Sequence, residues 1–309
     1  MKSFLQEVSI GLSKKNKKLS SKWFYDFHGS KLFEQITKLE EYYPARTERK
    51  ILKDNKIEIA NKIGKRAVLI EPGAGDIKKI AIFLSSLDKP KKYIPLDISE
   101  DYITKISQGF KKKFPKVAIT PKGYDFSGNN KLPFKINSSE NIIIFFPGST
   151  IGNFERKDAV KFLKMLKSKF KAKKIIIGAD LVKDIPTLIS AYDDKKGVTA
   201  KFNKNILQRI NTELGGDINL NSYKHLAIYN KSKKRIEMRL KSKKNNNIKI
   251  NGSKYLIKKN EEIHTENSHK YTIKSFKNIA NEAGWKIKKT WVDDKKLFSV
   301  HCLDLYKSG

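Results

Sequence analysis

Ala67-Val-Leu-Ile-Glu-Pro-Gly-Ala-Gly-Asp76 decides how the rest of the chain is read. An apolar run, Val68 to Ile70, ends in the acid Glu71 and then in two glycines spaced G-x-G, Gly73 and Gly75. A helical pattern follows from Ile77 to Leu87. Physically this is a buried strand, a tight turn whose backbone can approach a ligand, and a helix whose N-terminus faces that ligand. About twenty residues on, where a nucleotide-binding α/β fold sets a carboxylate against a ribose diol, a second apolar run, Tyr93-Ile-Pro-Leu96, ends in Asp97. A lone G-x-G also fits an ordinary strand–helix turn. The third glycine of the dinucleotide fingerprint is missing, which favours a ligand with ribose and adenine but no pyrophosphate, such as S-adenosylmethionine.

The strand–helix alternation continues to about Val182. Strands are predicted at 67–71, 93–97, about 117–120, 141–146 and 174–180, with helices near 77–87, 99–113 and 155–170. That is the pattern of a doubly wound parallel sheet. Residues 1–60 read as helices and loops, with an aromatic cluster at Trp23-Phe24-Tyr25 and an amphipathic stretch from Lys31 to Leu39. Pro44 is expected to break any helix there, and Thr47 to cap the next one, which runs to about Ile63. Past Val182 a helical segment from Pro186 to about Glu213 gives way to Gly215-Gly216 and then to alternating runs at 224–229, 235–241, 248–250 and 255–258. Asn251-Gly252 is a hairpin turn signal. A helix over 271–283 and strands over 285–292 and 297–305 complete the pattern, with no internal repeat and no disordered linker.

At 309 residues, 39% hydrophobic and 32% charged, the chain is long enough for an α/β core and a second, smaller unit. No run approaches the roughly 18 apolar residues a membrane span needs. Met1-Lys-Ser-Phe-Leu-Gln-Glu-Val8 lacks the apolar core of a secretory signal, so a cytoplasmic protein with no membrane partner is expected. The single Cys302 fits a reducing compartment and excludes both an internal disulfide and a cysteine-cluster metal site. The five histidines show no H-E-x-x-H spacing, so the site is expected to hold no metal. The formal net charge of +34 has two readings. One is a nucleic-acid surface in which Lys and Arg neutralise phosphates. The other is compositional bias, since Lys, Asn and Ile are over-used together. Runs such as Lys111–Lys113 and Lys241–Asn247 are scattered and not interleaved with aromatics, which favours bias, with non-specific polyanion binding as a side effect. No specific nucleic-acid partner is expected.

The fourth strand ends in Phe145-Phe-Pro-Gly-Ser-Thr-Ile-Gly-Asn-Phe154. Ligands of open parallel sheets sit beyond the carboxyl ends of the strands. This turn offers hydroxyls, amides and an Asn side chain there, or it is an ordinary turn with Asn153 capping a helix from Glu155.

Several segments together resemble one family, the S-adenosylmethionine-dependent histidine Nα-methyltransferases of ergothioneine biosynthesis. They are Lys22–Asp26, Gly29–Phe33, Glu41-Tyr-Tyr-Pro-Ala-Arg-Thr-Glu48, Gly148–Phe154, Asp180–Asp184, Ala191–Ala200 with Phe202-Asn203, Arg235–Met238 and Thr265-Glu-Asn-Ser268. They occur in family order from residue 22 to about residue 300. The resemblance implies an α/β fold: a Rossmann-like doubly wound methyltransferase sheet over 48–182 and 271–309, with an inserted α+β substrate-binding domain over 1–47 and 183–270. A monomer acting on a small amino acid is expected.

The resemblance also implies site roles. The methyl donor lies over Gly73 and Gly75, Asp97 takes the ribose hydroxyls, and Asp125 and Phe126 flank the adenine. Gly148 lies beside the donor, Tyr42 contacts it, and Lys79 matches a lysine after the glycine turn. Asn153 and Tyr192 hold the α-carboxylate of L-histidine and Tyr25 lies near its α-amine, making Tyr25 and Asn153 the candidate catalytic residues. Glu266 and Ser268 grip the imidazole and Met238 lines the ring pocket. Such roles suit the chemistry: a carboxylate accepts two hydroxyl protons, and an acid with a hydroxyl can fix both nitrogens of an imidazole. The alternatives are a polar loop for Glu266 and Ser268, a solvated acid for Asp125, and core packing for Tyr42 and Met238. His264 and His269 are read as surface residues. The family's glycine turn continues with small hydroxyl residues and a Lys-Thr pair, where this chain has Asp76-Ile-Lys-Lys79. The reaction implied is three successive methyl transfers to the α-amine, ending in hercynine. An N-methyltransferase for tryptophan or tyrosine, or a basic nucleic-acid-binding protein or RNA methyltransferase, is the alternative.

Overall fold

A computed structural model describes residues 3–75, 78–126 and 130–306. Of the divergent Asp76-Ile-Lys-Lys79 stretch, Asp76, Ile77 and the Lys78 side chain lie outside the described residues. The helices are α1 (Phe4–Ser13), α2 (Phe27–Ile36), α3 (Tyr43–Asp54), α4 (Lys56–Ile63), α5 (Lys78–Leu84), α6 (Glu100–Lys113), α7 (Arg156–Ser168), α8 (Ile185–Ser190), α9 (Val198–Leu214) and α10 (Ile273–Glu282). The strands are β1 (Ala67–Pro72), β2 (Lys92–Asp97), β3 (Ala118–Ile119), β4 (Lys122–Gly123), β5 (Asn141–Phe146), β6 (Lys174–Asp180), β7 (Tyr223–Asn230), β8 (Arg235–Ser242), β9 (Asn246–Ile250), β10 (Ser253–Ile257), β11 (Glu262–His269), β12 (Trp285–Val292) and β13 (Phe298–Leu305). Two compact units result: Met1–Tyr42 with Lys183–Ser268, and Tyr43–Val182 with His269–Gly309.

The second unit is built on a sheet of order β12-β13-β6-β5-β1-β2-β3, with β4 also on β2. β6, β5, β1 and β2 run parallel, and β13 and β12 close the edge as an antiparallel hairpin. Both faces of the parallel strands are covered, which is why they read as unbroken apolar runs. Val68, Ile70, Ile142 and Ile144 enter one apolar layer with Leu163 of α7 and Phe276 of α10. Leu69, Ile143 and Phe145 face the other, with Leu52 of α3, Ile59 of α4 and Ile80 of α5. The doubly wound parallel sheet expected from the sequence is present.

Pro44 does not break a helix, and Thr47 does not cap one. α3 begins at Tyr43, Pro44 lies in its first turn, and Thr47 is buried within it. First-turn N–H groups have no intrahelical partner, so proline's missing donor costs nothing there. The helix does not run to Ile63 either, because Asn55 interrupts it and its side-chain amide donates to the Ile51 carbonyl at 2.8 Å.

In the first unit, β11-β8-β7 form one sheet and β9-β10 a hairpin. Asn251 and Gly252 both have positive φ, 46° and 78°, as a two-residue primed turn requires. The helix expected from Pro186 to Glu213 is two helices, α8 and α9. The first ends at Ser190, Gly197 at φ 68° stands at the N-cap of the second, and the Asp194 carboxylate accepts the first N–H groups of α9, from Val198 and Thr199. Thr265–Ser268, weighed as a polar loop, is the buried centre of β11.

One buried histidine makes the second unit acid-sensitive. His301 of β13 is fully buried, stacked on Phe276 with ring centroids 4.3 Å apart, with Thr290 Oγ1 and Ser299 Oγ each 2.9 Å from its ring nitrogens. Burial pushes its pKa down to about 3. The unfolded chain binds this proton at about pH 6.5, so the stabilisation is full above that value and is lost as pH falls toward the folded pKa. Chemical denaturation should show roughly 2 kcal/mol lost from this group between pH 7 and pH 5. His301→Gln should flatten that slope, and an unchanged slope would rule out His301 as its source.

Candidate functional site

The donor-side residues gather at the carboxyl ends of β1, β2 and β5. After β1 the chain turns at Gly73, φ 72°, whose N–H and that of Ala74 both donate to the Leu96 carbonyl, at 2.7 and 2.9 Å. A side chain is excluded at this turn on two counts. The φ is left-handed, and a Cβ would lie 3.2 Å from Cε1 of Phe126. Phe126 is held by Phe146 and Phe162, at 6.0 and 5.7 Å between centroids. Asp125 beside it is half-buried, and its carbonyl accepts from Asn130 at 2.8 Å.

Asp97 ends β2 with its side chain buried. Its Oδ1 accepts the Ser99 N–H at 2.9 Å, while a Cβ on Gly75 would lie 4.0 Å from Oδ2. Burial raises its pKa to about 6 against the lowering effect of backbone N–H groups. Among the described residues no basic side chain pairs with it. A desolvated acid facing a glycine turn, with no counter-charge, is suited to a neutral polar ligand group.

β5 leads into Gly148, φ 80°, and Ser149, φ 56°. The Gly148 N–H donates to both oxygens of Glu48 at 2.9 Å, and Glu48 Oε2 is 2.7 Å from Lys79 Nζ. Ser149 Oγ accepts the backbone N–H of Asp180 at 2.9 Å. The Asp180 carboxylate is fully buried, 2.7 Å from Lys270 Nζ and 2.8 Å from the hydroxyl of Tyr43. Asn153 ends the short 3-10 turn Thr150–Asn153. The cap position of α7 belongs to Glu155 and carries no side-chain cap bond, so Asn153 is not the cap.

The other site residues lie in the first unit. Glu266 and Ser268 are two apart on β11 and so share one face of the strand. Ser268 Oγ is 2.7 Å from the hydroxyl of Tyr192. Tyr192 packs edge-on against Tyr42 at 6.1 Å, and Tyr42 against Phe33 at 6.2 Å. Tyr25 is half-buried, edge-on to Phe33 and Phe202 at 5.7 and 5.4 Å. Met238 is buried on β8.

A polar network beneath these residues had no role in the sequence reading. Thr265 Oγ1 donates to Asn203 Oδ1 at 2.7 Å, and Asn203 Nδ2 lies 2.8 Å from His225 Nδ1. His225 Nε2 lies 2.8 Å from the Tyr192 carbonyl, and burial lowers the pKa of the ring. A neutral ring with its proton on Nε2 satisfies both bonds. The network thus ties the segment of Tyr192 to the strand of Glu266. His264 and His269 are not surface residues, with side chains 18% and 15% exposed. His264 lies 3.8 Å from Glu237, and burial lowers its pKa to about 4.

The structure thus groups Gly73, Gly75, Asp97 and Phe126 around one turn, Lys79 with Gly148 through Glu48, and Tyr42 with Tyr192 and Ser268.

Comparison with known proteins agrees with the sequence resemblance. The family model described as histidine-specific methyltransferase, SAM-dependent, matches residues 4–305. The chain is 33% identical over 295 residues to a histidine N-alpha-methyltransferase of Mycolicibacterium smegmatis, covering 93% of this chain and 90% of that one. It is 32% identical over 302 residues to a protein of the same name from Mycobacterium tuberculosis, covering 96% and 92%. It is also 36% identical over 196 residues to ergothioneine biosynthesis protein 1 of Neurospora crassa, spanning 62% of this chain and 22% of that protein.

Proposed function

The chain belongs to the histidine-specific, S-adenosylmethionine-dependent methyltransferases, and on that footing we propose that it trimethylates the α-amine of L-histidine to hercynine, a step of ergothioneine biosynthesis. The observation that carries the donor half is the buried, unneutralised carboxylate of Asp97 against the Gly73–Gly75 turn. A ribose diol would supply the two hydroxyl protons that this acid has lost from water. At Gly73 and Gly75 the same turn carries no side chain, and Phe126 backs it, so an adenosine fits the residues present.

S-adenosylmethionine supplies a methyl group on a sulfonium, transferred by in-line displacement to a neutral amine. In this reading Gly73, Gly75 and Gly148 let the backbone approach the donor, Phe126 and Asp125 flank its adenine, and Tyr42 and Lys79 contact it. Glu266 and Ser268 fix the imidazole, Met238 lines its pocket, and Asn153 and Tyr192 hold the α-carboxylate. A free α-amine is mostly protonated at neutral pH, so the site must favour its neutral form. Tyr25 is assigned to the amine, where an aromatic face tolerates a cation that loses hydrogen-bond donors with each methyl. Most of the acceleration would come from alignment. The same reading makes the protein a cytoplasmic monomer that uses neither a metal nor a nucleic-acid partner.

Incubation with S-adenosylmethionine and the twenty amino acids pooled, read by mass spectrometry, tests donor and acceptor together. Trimethylated histidine alone is expected, and methylated tryptophan or tyrosine would move the substrate assignment. Asp97→Ala should weaken donor binding by roughly 1–3 kcal/mol, the scale for leaving hydroxyls without their acceptor. Wild-type donor affinity should also decline as pH falls below about 6, where Asp97 takes up a proton. Calorimetry across pH 5–8 that shows flat affinity would remove Asp97 from the donor site.

A further inference from the structure

Three groups converge on the carboxylate of Glu48, which is 1% exposed on α3. Lys79 Nζ, from the start of α5, is 2.7 Å from Oε2. The Gly148 N–H, after β5, donates to both oxygens at 2.9 Å. On the third side is Gly178 of β6, where a Cβ would stand 2.1 Å from Oε1, so only glycine leaves the acid its place. Lys79 and Gly148 are themselves neighbours, since a Cβ on Gly148 would lie 3.4 Å from Nζ. One buried carboxylate thereby holds a side chain from the helix that follows β1 and a peptide from the turn after β5.

A buried ion pair is poor evidence of a gain in stability, because its desolvation cost rivals its attraction. What it fixes here is position. Lys79 lies in the first turn of α5, four residues after Gly75 in sequence, and its ammonium carries three N–H donors, of which Glu48 accepts one. The others can be offered to an anionic group such as the α-carboxylate of the donor. We infer that Glu48 is a positioning residue for the methyl donor: it orients the Lys79 ammonium and the Gly148 peptide without touching the donor itself. The inference rests on the donor site proposed for this unit.

The test uses the full-length protein, S-adenosylmethionine as the probe, and calorimetry. Glu48→Gln keeps the shape of the side chain and an acceptor for Gly148, but removes the charge that orients Lys79. Its donor Kd should rise about tenfold or more, while the L-histidine KM at saturating donor stays within about twofold. Lys79→Met should raise donor Kd by a similar factor. In the Lys79→Met background Glu48→Gln should add less than about threefold, because the acid acts through the lysine. Unchanged donor Kd in Glu48→Gln, or losses that multiply in the double variant, would overturn the inference. If Glu48→Gln does not fold, Glu48→Asp decides, since it keeps the charge and retracts it by one methylene. A tenfold weaker donor Kd then supports the inference and an unchanged one overturns it. A wild-type protein that binds no S-adenosylmethionine would instead remove the donor-site reading beneath it.

Discussion

Lys270→Met should lower the stability of the folded chain by about 3–5 kcal/mol, the range seen when one partner of a buried ion pair is removed. Lys270 and Asp180 are both essentially without solvent contact, and their charged atoms are 2.7 Å apart. Removing the ammonium takes this counter-charge from the buried carboxylate, and the Tyr43 hydroxyl at 2.8 Å is a neutral donor that cannot replace it. Urea unfolding should therefore show a large drop in midpoint. Asp180→Asn in the same background should recover much of the loss, because the uncompensated charge is gone. The effect should reach the site, since the Asp180 N–H donates to Ser149 Oγ beside Gly148. A Lys270→Met protein with an unchanged midpoint would mean that the pair is solvated in solution.

The parallel sheet was legible because its strands are buried on both faces. Ile142–Phe146 and Ile175–Ala179 carry almost no polar residue, and such runs can be read without knowing their neighbours. β11 failed the same test. Thr265-Glu-Asn-Ser268 is also buried, but it is polar, and Thr265 and Ser268 are satisfied by Asn203, the Met238 carbonyl and Tyr192. A polar strand closed by distant partners has no periodicity to detect. The start of α3 was misread for a local reason, since proline is a breaker inside a helix and compatible with its first turn.

The candidate site divides along a similar line. The glycine turn and Asp97 can be reasoned from spacing, because the chemistry at the end of a strand is local. The roles of Tyr25, Tyr192, Glu266 and Ser268 came with the resemblance and not from pattern. Glu48 and Asp180 had no readable role at all. Each depends on one particular lysine among 66 basic residues, and nothing in the sequence distinguishes Lys79 or Lys270 from the rest.

Glu266→Ala should have the largest effect on catalysis. Glu266 is mostly buried on β11, on the same strand face as Ser268, whose hydroxyl is 2.7 Å from that of Tyr192. If Glu266 accepts an imidazole N–H, its removal deletes a charged hydrogen bond in a site with little water to replace it. The expected cost is about 2–4 kcal/mol, or roughly 30- to 1,000-fold in kcat/KM for L-histidine. Donor affinity should be almost unaffected, which separates loss of recognition from loss of fold. Glu266→Gln should fall between the two, because its carbonyl still accepts the N–H without the charge. The space left by the alanine should also weaken discrimination against larger apolar side chains, since a polar match rejects what cannot pair with it. The informative measurement is kcat/KM for histidine and tryptophan in wild type and both variants. A wild-type preference for tryptophan, or unaltered histidine kinetics in Glu266→Ala, would move the assignment to another amino acid, because the polar pair would then have no imidazole to hold.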